Sequence, residues 1–213
     1  MTTDTAGIDL REPDKMDWDN YNPGTKYTPP PQVGEIKDGK LVSTVFFGQL
    51  PSAIVPEVSQ STQLRQYLID PIKLVRSGQS DGYEIRFTRA SVKKWTNKKT
   101  GEPINASMVG NLLKSVGVTA KPQRTAEYDA VIKQIAGKVA AFTIDWEARN
   151  KDTGEVVEGY VNFPDDPARP GMKKTVLKEG DVYRTKDGTE AKVTSPVLFA
   201  NARVKFFVDP NRK

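Results

Sequence analysis

Six basic residues crowd the segment from Gly82 to Gly101: Arg86, Arg89, Lys93, Lys94, Lys98 and Lys99, against the single acid Glu84. Their local charge of +5 equals the formal net charge of the whole 213-residue chain, so everything else sums to neutrality. A cationic cluster around one tryptophan suits a polyanion, most simply nucleic acid, because cations take phosphates and a ring takes a base. Trp95 sits among Lys93, Lys94, Lys98 and Lys99, which favours an exposed stacking ring. The alternative is a ring folded back over the domain with the lysines solvated. Arg86 and Arg89 either line the same groove or are ordinary surface arginines. Lys138, Arg149 and Lys151 are lesser candidates for flanking phosphate contacts.

Other chemistry finds little support. The chain has no cysteine and no histidine, which removes disulfides, thiolate metal sites and the Ser-His and Cys-His catalytic pairs. Asp145, Glu147, Glu155 and Glu158 could gather a cation, but alternating charges on the wet face of a hairpin are commoner. Asp181 with Glu190-Ala191-Lys192 mimics a metal-nuclease spacing that a chain this charged meets by chance. Neither GxxxxGK[ST] nor GxGxxG occurs. The expectation is a protein with no catalytic residues, no metal site and no cofactor.

These residues need elements to position them. Residues 1–40 carry eight acids and five bases and the run Pro29-Pro30-Pro31, which reads as an extended, partly disordered arm holding Trp18, Tyr21 and Tyr27. The N-terminal stretch lacks the basic and apolar regions of a secretory signal, and no run is long enough to span a membrane, so the cytoplasm is the expected location. Order is expected near Leu41, with a strand in LVSTVFFGQL and a polar connection to LRQYLIDPIKLV, whose Pro71 marks an edge or a break. Tyr83, Ile85 and Phe87 alternate with Glu84, Arg86 and Thr88, so the three apolar residues are read as core and Arg86 as outward. The basic segment that follows reads as a loop.

Two short helices come next. Asn105 or Ser107 can cap the first, with Met108, Leu112, Leu113 and Val116 on one side and Gly117 as its stop. Thr125 can cap the second, with Tyr128, Val131, Ile132 and Ile135 on one side and Gly137 as its stop. Phe142 and Trp146 then belong to the inward face of a strand, which returns through Lys151-Asp152-Thr153-Gly154 into VVEGYVNF as a hairpin. DVYRT, TEAKV and ARVKFFV are further strands.

Strands, helices, then strands predict an α+β, mainly β fold. The order fits an OB-like five-stranded barrel (an oligonucleotide-binding architecture) with helices between strands three and four and extra C-terminal strands. The expected division is an arm over 1–40, an OB-like core over 41–164, and a β extension of the same domain over 165–213. GYEIRFTRAS, SMVGNLLKSVGV and IAGKVAAFTIDWEARNKDTGEVVEGYVNF resemble phage and prophage single-stranded-DNA-binding, recombination-associated OB-fold proteins. The resemblance spans roughly residues 64 to 164 and implies a non-catalytic coat on single-stranded DNA, or RNA, in replication or recombination. Replication or recombination proteins and further copies of the chain are the other expected partners, in the host cytoplasm if phage-encoded. The chain departs from many such proteins in ending on Arg212-Lys213 rather than an acidic tail. Two rival readings stay open: a viral structural or assembly protein whose arm reaches its neighbours, and a carboxylate-metal nuclease.

Overall fold

The computed structural model describes residues 28, 30–38, 40–150, 152–153, 156–157, 165–168, 170, 174, 176–184, 189–194 and 196–210. Trp18, Tyr21 and Tyr27 lie outside them. Strands β1 (Gly34–Lys37) and β2 (Lys40–Ser43) form a hairpin of their own. Val33, just before it, is fully buried and its carbonyl accepts the Thr44 N–H at 2.9 Å, so the chain joins the fold ahead of Leu41. The apolar run expected as one strand is therefore shared between β2 and β3 (Phe46–Gln49). The polar connection after it contains an unforeseen strand, β4 (Val55–Val58).

Strands β5 (Arg65–Ile69) and β6 (Ile72–Val75) divide at Pro71, which has no N–H to give a ladder. Opposite them, β7 (Glu84–Ile85) and β8 (Thr88–Ser91) divide as well, and the pairs Ile72↔Ile85 and Ile69↔Thr88 keep one register across the gap. The basic segment is a hairpin rather than a loop, formed by β9 (Lys94–Thr96) and β10 (Pro103–Ser107).

Helix α1 (Met108–Ser115) is capped by Ser107, whose Oγ accepts the Gly110 N–H at 3.0 Å, and the chain turns out at Gly117 with φ +75°. In α2 (Thr125–Ile135) Thr125 is the first helical residue, not the cap. The Glu127 carboxylate reaches back to accept the N–H groups of Gln123 at 2.8 Å and of the cap residue Arg124 at 3.3 Å, tying the entering chain to the first turn.

Strands β11 (Val139–Asn150), β12 (Val156–Val157), β13 (Val176–Leu177), β14 (Val182–Arg184), β15 (Glu190–Lys192) and β16 (Val197–Phe207) complete the chain. The hairpin expected after Asn150 is present as the pairs Ala148↔Val157 and Arg149↔Val156, its turn held by Asn150 Oδ1 accepting the N–H groups of Asp152 and Thr153. The long partner of β11 is nevertheless β16, paired from Phe142↔Phe207 to Asn150↔Val197, with the two phenyl rings edge to face at 6.0 Å.

The molecule is α+β and mainly β. Its largest sheet runs β13-β16-β11-β3-β6-β7, with β12 on β11, and a second runs β4-β5-β8. The ends of the large sheet approach each other where β16 passes β7, but no ladder joins them among the described residues. The sheet is therefore open along that seam and the expected closed barrel is not found. Helix α1 lies against β16, β8, β10 and β11, burying Val109, Leu112 and Leu113. Among the described residues no helix is long and apolar enough to cross a membrane.

Two constraints hold the core. Gly48, on β3 between β6 and β11, leaves room for no side chain: a Cβ there would stand 2.6 Å from Ile72 Cγ2 and 2.8 Å from the Phe142 ring. Asp129 of α2 clamps that helix to β5, accepting from Arg65 Nε at 3.0 Å, from a second Arg65 nitrogen, and from the hydroxyl of the buried Tyr67 at 2.7 Å. The Arg65 guanidinium, aided by the Tyr67 hydroxyl, holds the Asp129 carboxyl below its ordinary 3.8, while burial pushes the Tyr67 phenol up.

Two outcomes follow. Gly48→Ala should destabilise the fold by about 1–3 kcal/mol in a denaturant titration, the usual range for overpacking. Because the Asp129 carboxyl is depressed in the folded state, its stabilisation is complete above pH 3.8 and fades as pH falls through the folded-state value. Asp129→Asn should thus lower stability at neutral pH and flatten the fall in stability between neutral and acid pH, as read by chemical denaturation across that range.

Candidate nucleic-acid interface

The gap between β7 and β8 positions the first part of the site. Ile85, Thr88 and Ala90 are all buried, so the inward phase moves from odd to even residues across Arg86-Phe87. A strand can change phase only by losing its alternation, and the residue that absorbs the change is Phe87, held at φ +55°. Its N–H, turned out of the ladder, donates to Asp70 Oδ1 at 3.1 Å from the matching gap at Asp70-Pro71. The expectation that Phe87 belongs to the core is therefore corrected: the ring is 59% exposed. Tyr83 is partly buried against the core, and Phe142 and Trp146 are buried as expected.

Arg86 and Arg89 are both exposed, and both are paired. Arg86 bonds the Glu84 carboxylate and lies 4.0 Å from Asp70 Oδ1. Arg89 Nε donates to Glu57 Oε2 at 3.2 Å, an oxygen that also accepts from Gln66 Nε2 at 3.1 Å. With Arg203 and Val204 of β16, the residues Arg86, Phe87, Thr88 and Arg89 line a cleft of about 210 Å³. The cleft lies on the seam where the sheet stays open. Thr88 is only 7% exposed, and its Oγ1 is buried with no hydrogen-bond partner among the described residues.

The β9–β10 hairpin carries the rest. Its tip is closed by Asn97, whose N–H donates to the Glu102 carbonyl and whose carbonyl accepts the Gly101 N–H, each at 2.8 Å, leaving Lys98 and Lys99 at the turn. Lys93, Lys94, Lys98 and Lys99 are exposed, and among the described residues no carboxylate comes within ion-pair distance of them. Trp95 is half-buried, meeting Phe206 edge to face with centroids 5.6 Å apart. The Phe206 ring is itself 43% exposed. Lys205 Nζ stands 5.9 Å from that ring and 3.3 Å from Asp145 Oδ2.

A bulge joins the two parts. The pairs Ile144↔Val204 and Thr143↔Phe206 leave Lys205 as the extra residue on β16. Arg203, opposite Asp145, and Phe206, opposite Thr143, therefore share a face, although their odd spacing would separate them on a regular strand. Three residues of strand put them roughly 10 Å apart. The cleft and the Trp95–Phe206 pair are neighbouring stations on one surface.

Of the seven sequence-predicted residues, Arg86 and Arg89 thus meet at the cleft and Lys93, Lys94, Trp95, Lys98 and Lys99 on the hairpin. Thr88, Arg203, Lys205 and Phe206 were missed, and Phe87 was assigned inward. The adjacent phenylalanines in ARVKFFV carried a signal, since neighbours on a strand face opposite ways and one ring had to point out. Lys138 is exposed; Lys151 and the side chain of Arg149 lie outside the described residues.

Among the described residues no three metal-ligating side chains gather; Glu155, Glu158 and the side chain of Glu147 lie outside them. Asp181 and Glu190 sit at opposite ends of the β14–β15 ladder, roughly 10 Å apart along it. The Asp181 carboxyl is held low by Lys174 and accepts the Lys178 N–H at 2.7 Å, a structural use of its charge.

Replacing the exposed, left-handed phenylalanine should cost little. Phe87→Asn, which tolerates that backbone, is expected within about 1 kcal/mol of the parent in thermal or denaturant unfolding. Phe142→Ala, which empties the core, should lose about 3–5 kcal/mol in the same assay. Neither a protein-family model, nor a curated protein, nor a solved structure matches this chain.

Proposed function

We propose that this chain is a non-catalytic protein that binds single-stranded nucleic acid, DNA in the first instance, in phage-type replication or recombination. The observation that carries the reading is the hairpin of four exposed lysines, unpaired among the described residues, beside the Trp95–Phe206 pair. Single strands bind without sequence reading where cations track phosphates and aromatic faces accept bases, and the hairpin offers both. The phage-type setting rests on the sequence resemblance alone.

The fold reading is finer than α+β. Numbered by their place in the chain, the principal strands run five-four-one-two-three across the large sheet as β16, β11, β3, β6 and β7, with both helices between the third and fourth. This order supports an OB-like reading, with the seam between strands three and five unjoined among the described residues, and the loops and strand faces of such folds commonly hold oligonucleotides.

A second reading, a structural or assembly subunit, draws support from β4, an edge strand of its sheet whose Val55 and Val58 are 51% and 56% exposed. It requires an oligomer that persists in light scattering without nucleic acid.

Titrating oligo-dT against tryptophan fluorescence at several salt concentrations tests the first reading. Affinity should fall with salt at a log–log slope of about −0.7 per phosphate neutralised. Changing Lys93, Lys94, Lys98 and Lys99 together to Gln should make that slope shallower by roughly 2–3. Absence of any binding at low salt would overturn it.

A further inference from the structure

The seam cleft has features that phosphate attraction alone does not call for. Of its three arginines, Arg86 stands beside Glu84 and Asp70 and Arg89 is paired with Glu57, so three carboxylates sit among three guanidinium groups. The charges roughly cancel, so the cleft is close to neutral while the hairpin beside it is strongly cationic. A densely charged ligand gains little in such a place. A planar, uncharged, polar ring gains more, because planar guanidinium groups and an exposed phenyl ring both present faces for stacking.

A further observation points to a ligand. Phe87 is held in the left-handed region, which residues with a side chain rarely adopt, and most of its ring stands in solvent at the cleft. Strain of that kind collects where a group must be presented rather than packed.

We propose that the cleft lined by Phe87, Thr88, Arg86, Arg89 and Arg203 is a base subsite that takes one nucleobase from the bound single strand. The base lies over the Phe87 ring, and the strand continues past Arg203 to the Trp95–Phe206 pair, a second stacking station, and to the lysine hairpin, which holds the phosphates. The inference rests on the single-strand reading above and adds a base contact at the cleft to those the hairpin offers.

The test compares two probes at one salt concentration: oligo-dT and an abasic strand of the same length and phosphate count. The parent protein should prefer oligo-dT. Stacking of one base corresponds to about a tenfold preference or more, so Phe87→Asn should reduce the ratio of the two affinities by about that factor. A Phe87→Asn ratio within twofold of the parent's, or a parent ratio near one, overturns the base subsite while the phosphate-binding hairpin stands. Failure of the parent to bind either strand overturns the reading beneath it.

Discussion

The carboxylate of Asp70 accepting the amide of Phe87 is the small interaction on which this surface depends. Two paired strands, β5–β6 and β7–β8, each lose their ladder for two residues at the same level, and a side chain supplies the acceptor that the missing carbonyl would have been. Without it, a backbone N–H would be stranded at the point where the strand changes phase. With it, the change of phase is held in place, Ile85, Thr88 and Ala90 all reach the core, and Phe87 is turned out. A packing requirement inside thus sets the aromatic face outside.

Electrostatics then separates two regions that the sequence presents as one. Six cations within twenty residues look like a single patch. In the fold, the two arginines are spent on Glu84, Asp70 and Glu57, and the four lysines are not paired among the described residues. Exposed ion pairs contribute little to stability, so the arginine pairs matter more as a local cancellation of field and as a means of fixing the guanidinium planes. The field that would draw in a polyanion comes from the hairpin.

The open seam and the bulge at Lys205 act together. Where β16 passes β7, with no ladder between them among the described residues, Arg86, Phe87, Thr88, Arg89, Arg203 and Val204 line a cleft. The bulge moves Phe206 onto the face of Arg203 and sends Phe207 inward against Phe142. One extra residue therefore serves the core and the surface at once. Helix α1, wedged against β8 and β16, supports both sides of the seam.

Local chemistry was legible in the chain. Ser107 before an apolar stripe, Gly117 and Gly137 after one, the break at Pro71 and the alternation through Phe142 and Trp146 each follow from one residue's own constraints or from a short period, and they suffice for an α+β, mainly β fold with a basic, tryptophan-bearing segment. What the sequence could not carry was anything set by a distant partner. Phe87 obeys the alternation on paper and breaks it in space because Asp70, seventeen residues away, holds its amide. Either phenylalanine of ARVKFFV could have been the inward one until the pairing of β16 with β11 chose Phe207. Arginines and lysines read alike as positive charge, and only the arrival of Glu57 from another strand distinguished a neutralised cleft from a cationic hairpin. The chain by itself determined where charge and rings concentrate along the sequence; tertiary pairing decided which of them face outward together, and with what charge left.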